Sequence, residues 1–130
     1  MPLGQSSEMS TKYRLSWLQL FGVVAFALVV YTSLMLPDQL ERMRTGHWFT
    51  EHFVGYFIAS LIICLGWRRR FLVASGLTVA AVVLEGLQAL TPNHSPNLLS
   101  VLGGASGAWL AALIVEAFKV AANRGKSASS

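Results

Sequence analysis

Charge is what this chain has least of. Only 12% of its 130 residues are charged, against 54% that are hydrophobic, whereas an ordinary soluble domain carries about 25% charge. So few charges cannot coat a water-facing surface, which puts the membrane class first. Cysteine is nearly absent as well. The single Cys64 lies in an apolar segment, which excludes an internal disulfide and a Cys-rich metal site and leaves a small packed apolar residue. His47, His52 and His94 with Glu85 show no H-E-x-x-H or comparable spacing, so neither a metal nor another cofactor is expected. Ser33 and Ser95 lack the surroundings of a hydrolase nucleophile. No soluble domain and no internal repeat stands out.

The formal net charge of +4 does not point to nucleic acid. The basic residues flank apolar runs instead of lining one face, and the orientation bias of membrane proteins places them there.

A spanning helix needs about 20 mostly apolar residues. Four stretches qualify, at roughly 15–36, 51–67, 71–90 and 98–118. The predicted fold is an all-α membrane protein, with four transmembrane helices in an antiparallel bundle over 15–118. Disordered, solvated tails are expected at 1–14 and 119–130. Met9 opens "MSTKYR", a plausible start in itself, so the first eight residues read as an upstream extension. The first run is longer than the apolar core of a signal peptide and lacks a small-x-small site before Pro37, so it reads as retained.

Lys12, Arg14, Arg68, Arg69, Arg70, Lys119, Arg124 and Lys126 all fall on one side of this layout. The other side has only Arg42 and Arg44, offset by Asp38 and Glu41. The positive-inside rule then predicts both termini in the cytoplasm. Trp17, Trp48 and Trp67 fall near the expected interfaces. The 37–50 segment reads as a connector resting on the membrane, with a short interfacial helix near Pro37 as an alternative.

The polar residues within the apolar runs carry the functional signal. Glu85 lies five residues before the outer end of the third span, roughly 7 Å deep at 1.5 Å per residue. Gln88 shares its face one turn nearer the surface. On the second span, His52 sits near the mouth and Tyr56 one turn deeper. The depths match His52 with Gln88 and Tyr56 with Glu85. Ionisable groups at membrane depth usually face the bundle interior or a wet cavity, which predicts a polar cluster between helices two and three, opening outward. The short 91–97 loop makes helices three and four antiparallel neighbours and sets His94 and Asn97 over that cluster. Ser33, at the outer end of helix one, forms a further wall. Glu85 with Gln88 as plain interhelical glue is the competing reading.

Ser100, Gly103, Gly104 and Gly107 form a small-residue face on helix four, suited to close packing inside the bundle or between two copies. Glu116, three residues before Lys119, reads as a local ion pair or a snorkelling carboxylate.

"YTSLMLP" closing helix one, "EHFVGYF" opening helix two, "LEGLQALTP" closing helix three and the Gly-rich fourth helix together resemble the VanZ-like family. These are small four-helix membrane proteins of bacteria, whose founding member is linked to teicoplanin resistance. The resemblance covers roughly 31–113 and is carried by the ordered set His52, Tyr56, Glu85, Gln88 and Pro92, with Gly104. Trp48 and Phe49 stand where the family has Asp-Lys, His94 where it has arginine, and Asn97 and Val101 where it often has aspartate and asparagine. The family's outer charged network is thus largely replaced by neutral groups.

The resemblance implies an integral protein of the bacterial inner membrane, with no catalytic residue assigned. Its partners would be the bilayer, a lipid-linked envelope precursor or amphipathic glycopeptide, and a second copy through helix four. In this reading Glu85 is the central acceptor, Gln88 and His52 position the ligand, Tyr56 donates from below, and His94 and Asn97 gate the entrance. The alternatives are a structural or assembly subunit that uses the glycine face and, third, an intramembrane enzyme or small transporter.

Overall fold

The computed structural model describes residues 5–35, 48–92 and 96–130. Within them lie four helices and no strand: α1 (Gln5–Met35), α2 (Trp48–Gly66), α3 (Arg70–Gln88) and α4 (Leu98–Ala128). Each contains a stretch long and apolar enough to cross a membrane.

The helix ends have local causes. α2 and α3 are joined by Trp67–Arg69, and Arg69 takes a non-helical φ of −91° and ψ of 71°. α3 tightens at its end through Leu90 N–H to the Leu87 carbonyl and Thr91 N–H to the Gln88 carbonyl. Asn97 opens α4 in extended conformation, and its side-chain oxygen accepts the Leu99 N–H at 2.9 Å, an N-cap. The helices outrun the apolar spans. Residues 5–14 and 119–128, expected as disordered tails, are helical. The interfacial helix expected near Pro37 lies outside the described residues.

Inside and outside are arranged as lipid requires. The buried positions of α4 are small, including Ser100, Gly103, Gly104, Ala108 and Ala112. The large apolar side chains point outward, with Leu72 65% and Phe118 74% exposed. Left in water, so much contiguous apolar surface would aggregate. Only a bilayer covers it, so the chain is a multi-pass membrane protein.

α1 and α3 run one way and α2 and α4 the other. The antiparallel pairs follow from Gly22 against Ile63 and Gly66 against Gln19 for α1 and α2, and from Trp109 on Thr78 for α3 and α4. The packing order differs from the chain order. α2 lies along α4, its parallel neighbour, and touches α3 only lightly, while α3 packs on α4 and α1 on α2. The glycines are the reason. A Cβ at Gly103 would sit 2.5 Å from the Phe49 carbonyl oxygen, and one at Gly107 would strike the Phe53 carbonyl. With no driving force from water, contact between helices in lipid goes to the surfaces that approach most closely. Here that pair is α2 and α4.

Candidate functional site

The end of the bundle away from the triple arginine gathers the polar side chains. α3 supplies Glu85 and Gln88, 8% and 7% exposed. The Glu85 carboxylate accepts the backbone N–H of Asn97, the residue that caps α4. It therefore sits at the positive end of the α4 dipole, where a negative charge is favoured. Gln88 donates through Nε2 to the Ser33 carbonyl, so α1 closes this side of the cluster. α2 contributes Tyr56, 1% exposed, whose ring lies against Gly104 and which packs with Leu77 and Ala81 of α3.

Ser100 is the anomaly. It is 1% exposed, and its hydroxyl finds no hydrogen-bond partner among the described residues. It lies one turn outward from Gly104 on the same face of α4, and so one turn beyond Tyr56. Its position is three residues on from the N–H that Glu85 holds. A buried hydroxyl without a partner costs about 1–3 kcal/mol, and in a native structure such a group calls for a physical reason.

No family model, no curated protein and no solved structure matches this chain. What the site does must be read from its own chemistry.

The cluster differs from the expected one in its walls. The cluster expected between helices two and three also takes in α4 and α1: Tyr56 of α2 packs with Leu77 and Ala81 of α3 and Ala108 of α4, and Gln88 reaches Ser33 of α1. Asn97, expected as a gate, spends its side-chain oxygen on capping and its N–H on Glu85. His52 is half-buried one turn outward from Tyr56. His94 lies outside the described residues. The small-residue face, Ser100, Gly103, Gly104 and Gly107, is buried against α2 of the same chain. A second copy would have to dock on another side of α4. Among the described residues no three His, Cys, Asp or Glu side chains form a metal-binding group. The cluster offers a carboxylate acceptor, a phenol and an unsatisfied hydroxyl, a set suited to holding a polar head group.

Three contacts escape sequence reading. Ser60 donates to the Ala108 carbonyl across the α2–α4 crossing at 2.9 Å. Its signal is the four-residue spacing His52, Tyr56, Ser60, Cys64, which marks one helix face. Trp109 Nε1 donates to Thr78 at 3.2 Å, and its ring stacks on Phe71 at 6.1 Å. Glu116, expected to pair locally with Lys119, instead pairs with Arg70 of α3. Arg70 is only 10% exposed, so its charge needs a partner more than that of Lys119, which is exposed. Glu116→Gln is expected to lower stability by about 1–2 kcal/mol, less than for a fully buried pair because Glu116 is 38% exposed. Thermal unfolding in detergent would register the loss, and Glu116→Asp should restore part of it.

Proposed function

We infer that this chain is a VanZ-like protein of the bacterial inner membrane, with both termini in the cytoplasm. Its outward-facing polar cluster holds the head group of an amphipathic ligand, of the kind found in a lipid-linked envelope precursor or a membrane-active glycopeptide. The eight basic residues at one end support the orientation. The order of His52, Tyr56, Glu85 and Gln88 supports the family resemblance.

The observation that carries the binding reading is the Ser100 hydroxyl, which has no hydrogen-bond partner among the described residues. It is buried on the α4 face that carries Gly104, three residues on from the N–H that Glu85 holds, where a ligand's polar group would satisfy it. Ser100→Ala separates binding from idle burial. If the hydroxyl meets a ligand, the variant should keep or gain stability, by up to about 1 kcal/mol, and should lose the small molecule that wild type retains through native purification. Mass spectrometry of both preparations makes the comparison. Equal retention by the two would remove the support for a ligand at this cluster.

A further inference from the structure

A second site lies at the opposite end of the bundle. α1 and α3 meet where Gln88 holds Ser33 but otherwise touch little. Toward the arginines a groove of about 620 Å³ opens between them, with α2 as its floor. That volume is within the range of small-molecule pockets, about 300–1,000 Å³. Val23 and Phe26 form one wall, Ile63 the floor and Leu72 the other wall. Val23 is 55% and Leu72 65% exposed, so the groove faces sideways toward acyl chains. Its mouth carries Trp67, Arg68 and Arg69, with Gln19 opposite.

Among the described residues the charge at the mouth has no acidic partner. Arg70 is taken up by Glu116, whereas Arg68 and Arg69 are exposed. The positive end of the α3 dipole adds to the same field. Tryptophan at such a level suits the boundary between head groups and hydrocarbon. An apolar slot beneath a doubly cationic rim is complementary to one common membrane component.

We propose that this groove binds an anionic phospholipid, with an acyl chain between α1 and α3 and its phosphate on Arg68 and Arg69. Basic pockets between membrane helices select such head groups through charge, and the apolar slot adds acyl contact that a bare ion cannot make. The site is separate from the Glu85 cluster and does not depend on any function assigned there.

The test uses the full chain in nanodiscs of phosphatidylcholine with phosphatidylglycerol, followed by native mass spectrometry of the retained lipid. Wild type should keep phosphatidylglycerol well above its share of the disc. Arg68→Gln with Arg69→Gln should lower that preference by about thirtyfold. Val23→Trp, which fills the slot and leaves the charges, should lower it as well. Arg124→Gln with Lys126→Gln, the same charge change elsewhere, should leave it intact. Circular dichroism confirms that each variant is folded. The proposal is overturned if the distant pair matters as much as Arg68 and Arg69, since that is general attraction. It is equally overturned if Val23→Trp binds normally, or if inorganic phosphate displaces the lipid at matched ionic strength.

Discussion

Gly107→Leu is expected to abolish recovery of folded, monodisperse protein. The Cβ alone would strike the Phe53 carbonyl and lie 3.0 Å from the Phe57 nitrogen. Both are backbone atoms of α2, which cannot step aside as a flexible side chain does. Overpacking a core costs about 1–3 kcal/mol where side chains can adjust. Here the two helix axes must separate, and the Ser60 bond to the Ala108 carbonyl goes with them. Even Gly107→Ala should lower stability by about 2 kcal/mol or more. Thermal unfolding followed by size-exclusion chromatography provides the measurement. The matched control is Gly76→Ala or Gly86→Ala, where a Cβ meets nothing within 4 Å. Those changes should stabilise by about 0.5–1 kcal/mol, because glycine in a helix loses more backbone freedom than alanine. If Gly107→Ala behaves like Gly76→Ala, the α2–α4 contact is not the centre of the bundle.

That contact also marks the boundary of what the sequence reveals. Four apolar runs divided by charged or proline-bearing breaks predict four helices, and four lie among the described residues. Burial of Glu85 and Gln88 was readable for the same reason, since hydrocarbon does not tolerate a carboxylate on its open side. The neighbour of α2 was not readable. Sequence proximity favours α3, and only the shape of two backbones decides for α4. The partner of Glu116 was hidden similarly. Lys119 is three residues away along one helix, while Arg70 is close only once α3 lies beside α4. Ser60 gave little warning because a helical serine often bonds back to its own preceding turn, as Ser75 does with Phe71. Ser60 crosses to another helix instead. The polar end of the bundle was legible as a set of residues, but its connections depended on contacts distant in sequence, such as Gln88 with Ser33.

Substitutions at Glu85 separate clamping from binding. Glu85→Ala removes the acceptor of the half-buried Asn97 N–H at the start of α4. The expected loss is about 1.5–3 kcal/mol, the worth of a hydrogen bond to a charged group. Amide hydrogen exchange should rise through the first turn of α4, because Asn97 fixes that turn through its own cap to Leu99. Glu85→Gln keeps a carbonyl oxygen at the same place. It exchanges a charge-assisted bond of about 1.5–3 kcal/mol for a neutral one of about 0.5–1.5. Stability should therefore fall by no more than about 1–2 kcal/mol, with α4 exchange close to wild type. If Glu85 serves only as glue, Gln restores everything that Ala loses, including the molecule retained through native purification. If the carboxylate also holds a ligand's donor or cation, Glu85→Gln folds normally yet releases that molecule, because an amide neither carries the charge nor accepts on both of its outer atoms. Retention that follows stability across wild type, Gln and Ala would assign Glu85 to the fold. Retention lost in both variants, with α4 protected in Gln, would assign it to the ligand.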